Sequence, residues 1–466
     1  MCRMREREGI DDVLGGEKKE KMKTKKVVLM EIAIVLCLVL LVALPAIAAE
    51  QNQEMQKVSA SASTITTASE CDFVLGIYGN ANEDDTIDMR DVTYIKLVIF
   101  GKKPETEFCD ANYDGRVSML DVVQTKLIIV GKEGKITIVD SVGRNVTIDK
   151  PVRRIVVLTY PVAEAVKIVK AERGVCGISR DIRGRKTFFP ELSKLPSVGE
   201  ASNPDIEKIL QLNPNAVFTG RLLGISDGLE ERLPAAIALV RWDMGRLEMM
   251  TNNIKKLGYI LDAEEEAEAF CDFYRNYIDG IVKARVAKIP DDEKKRVFIE
   301  HFRDYYTFLK GSAGHEVCEA AGGINIAAEL PQMTERPIVE IDTEWLVGEN
   351  PDVIVKTVSC KPGLCGYETD DPKELKKLRE ELMNRNGWKV ITAVTTGQVY
   401  LIDHDLVGST ANFIGAIYMA KWFYPELFRD IDPKVIHQEY LTRFQRLDYN
   451  LDEHGVFVYP PLTEGV

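Results

Sequence analysis

At 466 residues the chain exceeds what one hydrophobic core usually organises, so more than one domain is expected. With 45% hydrophobic and 29% charged residues, its composition is globular and not that of a disordered chain. A formal net charge of −13 excludes nucleic acid as the main partner, because phosphate binding needs a basic surface.

The chain opens on a targeting pattern. Lys23, Lys25 and Lys26 precede an apolar run from Ile32 to Leu44, followed by Pro45 and Ala46-Ile47-Ala48-Ala49. A positive n-region, an apolar h-region and an A-x-A signal make residues 1–49 a signal peptide, with an uncleaved anchor as the alternative. Met22 is an alternative start. Cys37 follows Leu36, where lipidation needs a small residue, so it reads as unlipidated. Residues 50–70, rich in Ser, Thr, Ala and Gln, form a flexible linker. The expected location is extracytoplasmic, secreted or tethered to the outer face of the cytoplasmic membrane. Of nine cysteines, Cys360 and Cys365 are close enough in sequence to pair; buried free thiols are the other reading.

A repeat follows. The segment starting at Asn80, NANEDDTIDMRDVTYIKLVIFGK, returns at Asp110 as DANYDGRVSMLDVVQTKLIIVGK. The first copy places Asn80, Asn82, Asp84, the Thr86 carbonyl and Asp91 at loop positions 1, 3, 5, 7 and 12. The second places Asp110, Asn112, Asp114, the Arg116 carbonyl and Asp121 there. Alternating oxygen donors in this order wrap a calcium ion in an EF-hand-type loop. Gly115 supplies the turn at position 6, and Asp85 holds that place, under expected strain, in the first copy. A helix should follow each loop, with Val92, Ile95 and Ile99 inward in the first and Val122, Leu127 and Val130 in the second. Paired loop–helix repeats with Asp at position 12 and no preceding helix resemble dockerin domains, over residues 71–134. The resemblance implies calcium as cofactor and a cohesin-type surface protein as partner.

From residue 136 onward strands and helices alternate, which predicts a parallel α/β sheet. ITIVDSVGRNVTID reads as two strands about a glycine turn, RIVVLT as a buried strand, PVAEAVKIVKA as a helix, GVCGIS as a strand, IEKILQL as a helix and AVFTG as a strand. A second repeat, EKILQLNPNAVF from Glu207 and EWLVGENPDVIV from Glu344, predicts the same helix–stop–strand block once in each of two lobes. The lobes are expected at 136–262 and 290–466. Between them, residues 263–289 should form one long rigid helix, with Ala267, Phe270, Tyr274, Tyr277, Ile281, Val282 and Ile289 on its apolar stripe and Gly280 as the weak point.

This layout resembles the helix-linked substrate-binding proteins of ABC importers for ferric siderophores, haem and corrinoids. The matching phrases are VDSVGRNVTIDKPVRRIVVL, SVGEASNPDIEKILQLNPNAVF, RVFIEHF, EAAGGINIA, GWKVITAVTTGQVYLID and AKWFYPELF. The resemblance implies two Rossmann-like lobes joined by one helix, capture of a chelate between them, and delivery to a membrane permease. One surface glutamate per lobe docks on the permease in that family, and Glu207 and Glu344 occupy that place. Iron enters only as part of the transported chelate.

Ligands of open α/β sheets sit beyond the carboxyl ends of strands. That rule selects Tyr160 after RIVVLT, Arg221 after AVFTG, Arg241 and Trp242 after IALV, His301, Arg303 and Tyr305 after VFIE, and His404 after VYLID. Arginines present forked donors to carboxylate or catecholate arms, and the aromatic residues offer flat faces. His301 and His404 could hydrogen-bond in the cleft or ligate iron. The first lobe contains no histidine, which disfavours a bare transition-metal ion and favours a chelate. No G-x-S-x-G, H-E-x-x-H or P-loop motif occurs, so the chain is not read as an enzyme. The competing readings are a dockerin-bearing surface enzyme, resting on His404 between Asp403 and Asp405, and an assembly subunit whose two-lobed domain has no ligand.

Overall fold

The computed structural model describes residues 73–221, 228–334, 336–359 and 363–462. The signal and linker segments and Cys360 lie outside them. Asp72–Val466 form one compact unit.

Two loop–helix units begin it, with helices Met89–Ile99 and Met119–Ile129. Each helix starts with a capping box, Asp88 with Asp91 and Ser118 with Asp121, because the position-12 aspartate accepts the N-cap amide. In the second helix the buried side chains are Asp121, Val122, Thr125 and Ile128, while Leu127 is half-buried and Val130, just past its end, exposed. The three-residue spacing along that face displaces the expected Leu127–Val130 stripe by one position. Asp85 does not take a left-handed φ; Glu83, Tyr113 and Gly115 do. The first loop therefore turns at position 4, and the strain expected at Asp85 is absent.

Strands β1 (Lys135–Val139) and β2 (Asn145–Asp149) form the expected antiparallel hairpin about Gly143. The first-lobe sheet is wholly parallel, in the order β4 (Val175–Ile178), β3 (Ile155–Val157), β5 (Ala216–Gly220), β6 (Ala238–Trp242). The second-lobe sheet is mixed. Its parallel centre is β7 (Lys295–Glu300), β11 (Val353–Val358) and β12 (Val399–Asp403), with β9 (Gly323–Asn325) also parallel to β7. Antiparallel strands β8 (Tyr306–Phe308), β10 (Ile338–Glu340) and β13 (Val458–Tyr459) extend it.

The internal repeat is seen atom by atom. Helices Ile206–Leu212 and Thr343–Glu349 are capped by Asp205 and Asp342 and end on left-handed asparagines, Asn213 (φ 45) and Asn350 (φ 44). A proline follows each, then a central strand, β5 or β11. Arg154 donates to the Leu212 carbonyl, and Arg296 to the Glu349 carbonyl. Asn215 and Asp352 accept the backbone amides of Arg154 and Arg296. One building block, with the same stitching of helix end to neighbouring strand, is used in both lobes.

The connecting helix is unbroken but not α-helical throughout. It is α-helical over Glu264–Tyr277, widens to a π-helix over Ile278–Lys283 and closes with Ala284–Val286. Gly280 lies in the widened turn, where the absence of a side chain eases i→i+5 bonding. The widening moves Ile278, Val282 and Val286 onto the buried face, and Ile281 and Ile289 to half-buried positions.

Candidate functional site

The two sheets direct their strand ends into one cleft, a cavity of ≈ 540 Å³. Tyr160 follows β3, Arg221 follows β5, Trp242 ends β6, His301 follows β7, Ser359 follows β11, and His404 and Asp405 follow β12; all line it. A cavity of similar size, ≈ 560 Å³, opens between helices Asn412–Phe423 and Pro433–Glu439 and β13. It lies within one lobe and meets no carboxyl end of a parallel strand, so the inter-lobe cleft is the stronger candidate.

Of the residues selected from the sequence, Tyr160, Arg221, Trp242, His301 and His404 come together there. Arg241, Arg303 and Tyr305 are not among the lining residues. Arg241 alternates with Trp242 along β6, so the two must point to opposite faces. Its side chain is 1% exposed and meets Glu230 at 2.5 Å, which ties it away from the cleft. Tyr305 takes a left-handed φ of 65, and its ring lies 4.6 Å from the Arg385 guanidinium, away from the cleft. Arg303 is exposed, 6.0 Å from the Tyr306 ring.

Among the cleft residues, Arg185, Arg246, Asp243, Arg336 and Phe302 escaped the sequence reasoning. Arg185 reaches across to Asp405 in an inter-lobe ion pair, with its guanidinium 3.7 Å from the centre of the Tyr160 ring. Arg246 pairs with Glu316 of the other lobe. Asp243 holds Arg221 at 3.1 Å. Asp405 flanks His404 in the sequence reading, and Asp243 directly follows β6, so the strand-end rule could have found it. Arg185 and Arg246 lie one short segment further on and carried no local signal.

His301 and His404 face each other with ring centres 5.8 Å apart, beside Phe302 and Phe308. Burial pushes the His301 imidazole down to about 3, helped by His404, Arg303 and Lys356; burial also lowers His404, opposed by Asp405. Both rings are thus neutral near pH 7, each with one ring nitrogen donating and the other accepting. The Arg303 amide donates to His301 Nδ1 (3.2 Å), so the neutral ring carries its hydrogen on Nε2, which is a donor. Lys356 donates to the His301 carbonyl at 3.0 Å and pairs with Asp304 at 2.8 Å, so a buried charge network fixes this turn.

Behind the cleft, Thr410 donates through its hydroxyl (2.7 Å) and amide (3.2 Å) to Glu164 of the other lobe. Burial pushes the Glu164 carboxyl up to about 7. The lobes approach closely at Gly245, where a Cβ would lie 2.9 Å from the Gly408 carbonyl oxygen. Glu207 and Glu344 are exposed, each the second residue of its matched helix.

In the first loop Asp91 accepts the Asn82 and Asp88 amides at 3.0 and 2.8 Å; in the second, Asp121 accepts those of Asn112 and Ser118 at 3.1 and 2.7 Å. Asp84 and Asp114 accept the amides of Thr86 and Arg116. Asp110 accepts from Asp114 and Gly115. Among the described residues no group of three or more His, Cys, Asp or Glu is placed to hold a metal ion. The first loop offers two carboxylates, two amides and a carbonyl, a donor set of different composition.

Two α/β lobes closing on a shared cleft define a bilobal solute-binding protein. The chain belongs to the periplasmic binding protein family, whose profile matches residues 155–406. It is similar to the molybdate-binding protein MolA of Haemophilus influenzae, 22% identical over 68% of this chain and 92% of the relative. It is also similar to the haem uptake protein IsdE of Staphylococcus aureus, 24% identical over 49% of this chain and 73% of the relative. Among solved structures, the TroA-like protein FepB of Veillonella parvula aligns with a TM-score of 0.57 at 25% identity, covering 69% of this chain and 98% of that one. Molybdate-bound MolA aligns with a TM-score of 0.55 at 19% identity, covering 67% of this chain and 99% of its own. The chain is a substrate-binding protein of an ABC importer. Among the described residues no helix is long and apolar enough to cross a membrane.

Proposed function

We propose that the cleft captures an iron chelate, a siderophore, haem or corrinoid, and that Glu207 and Glu344 dock the loaded protein on the permease. The observation that carries this reading is the lining of the ≈ 540 Å³ cleft: guanidinium groups of Arg185, Arg221, Arg246 and Arg336 beside the rings of Tyr160 and Phe302, with the buried Trp242 in the wall behind them. Arginines meet the acidic arms of a chelate, rings cover its apolar faces, His301 donates to it through Nε2, and His404 accepts from it or ligates its metal. The names of the relatives give molybdate for MolA and haem for IsdE. A tetrahedral oxyanion would leave most of this cavity unfilled, which favours the larger cargo here.

Trp242 supplies the test. Titration with ferric siderophores, haemin and cobalamin should quench its fluorescence with one of them, and Trp242→Phe should remove that signal. A folded protein whose fluorescence and calorimetric heat respond to none of the three would overturn the reading.

We also propose that the two loops bind calcium in a dockerin-like module. Supporting this are the inward-bonded position-12 aspartates and the Asn80 side-chain oxygen, fully buried without a hydrogen-bond partner. The exposed apolar side chains Met89, Phe100, Met119, Leu120, Val123 and Val130 on its helices support a cohesin-type protein partner.

A further inference from the structure

The first loop is bound to the first lobe by more than chain connectivity. Asp85 pairs with Lys255 at 2.8 Å, and Lys255 also reaches Glu268, on the helix that joins the lobes, at 3.1 Å. The Ile87 amide donates to the Tyr259 hydroxyl at 3.1 Å, and Asn252 donates to the Val74 carbonyl at 3.1 Å. Ile77 bridges to Ile138 of β1, and Leu75, Ile77, Ile87 and Ile128 share one core with Ile136, Ile138, Ile254 and Leu257. A freely tethered recognition module would bury no core with its neighbour.

The interior of this loop is built for a cation. Asn80 is 0% exposed; its amide nitrogen donates to the Leu75 and Asp84 carbonyls, which leaves its oxygen buried and unpartnered. Asp91 is equally buried and forms no ion pair among the described residues. At positions 1 and 12 of the loop, a buried side-chain carbonyl oxygen without a partner and a buried carboxylate without an ion pair are donors that a divalent cation would complete. The second loop touches the lobe more lightly: the Asn145 amide donates to the Tyr113 hydroxyl at an exposed site.

We propose that the cation of the first loop is a structural cation of the solute-binding domain itself, linked through Asp85–Lys255–Glu268 to the helix between the lobes. This rests on the calcium reading of the loops. Module and lobe then unfold together, and calcium stabilises the cleft-bearing domain by mass action.

All four tryptophans lie in the lobes, so their fluorescence follows the lobes and not the module. Thermal unfolding of the purified full chain is followed by tryptophan emission with EGTA and with calcium, beside calorimetric titration of calcium. Calcium at hundredfold excess over its dissociation constant should raise the tryptophan midpoint by roughly 3 °C. Asp91→Asn, or the more exposed Asp84→Asn should the former fail to fold, should remove more than half of that rise; Asp114→Asn in the second loop should remove less than half. Calcium bound with no change in the tryptophan midpoint would overturn the proposal while leaving the loop reading intact. A rise lost chiefly in Asp114→Asn would overturn it also. Absence of calcium heat altogether would instead overturn the loop reading on which it stands.

Discussion

Glu164→Gln isolates a buried proton that the fold must carry between its lobes. Glu164 accepts both Thr410 bonds from within the protein, and burial holds its carboxyl at about 7, against an ordinary 4.5. Its folded-state value is therefore raised. Between pH 4.5 and 7 the native state holds a proton that the unfolded chain has released, so stability falls as pH rises through that window. The full penalty, about 3 kcal/mol, is present by pH 8 and absent below pH 4.5. Glutamine keeps the acceptor and never ionises. His301 opposes the trend in the parent: its lowered value stabilises the fold above pH 6.5, an effect lost toward pH 3. The difference between variant and parent cancels that contribution. Guanidinium unfolding monitored by tryptophan emission at pH 5 and pH 8 should show the variant gaining on the parent by about 3 kcal/mol across the interval. Parallel pH profiles for the two proteins would refute the assignment of a buried, protonated inter-lobe carboxyl.

Three further outcomes are expected. Gly245→Ala should destabilise by about 1–3 kcal/mol in thermal unfolding, because its Cβ would press on the Gly408 carbonyl where the lobes meet. Arg185→Met should cost about 3 kcal/mol, since it leaves Asp405 buried without its partner; Arg185→Met with Asp405→Leu should recover much of that loss in the same denaturant series. Glu207→Arg and Glu344→Arg, both at exposed helix starts, should leave chelate affinity within about twofold while abolishing uptake in vesicles carrying the permease.

The sequence showed the fold wherever a signal was local. AVFTG and VYLID coincide with β5 and β12, and the Asn-Pro stops fall on the left-handed residues Asn213 and Asn350. What it did not show depends on tertiary facing. Arg241 and Trp242 follow one another, so one strand could present only one of them to the cleft. Arg185 and Arg246 matter because Asp405 and Glu316 approach from another lobe, and no spacing records that. The π-helical turn at Ile278–Lys283 likewise reflects the packing of Ile278 and Val282, which a 3.6-residue stripe does not encode. The tie between Asp85 and Lys255 spans separate elements, so the loop pattern was legible and its attachment was not.

Native mass spectrometry of gently purified protein tests the central claim most directly. A single adduct with the mass of one metal chelate, retained by the parent and lost from a Tyr160→Ala, Arg221→Ala double variant that still folds, is the predicted result. The bare polypeptide mass after saturation with each chelate class, or an adduct indifferent to those substitutions, would contradict a ligand held between the two lobes.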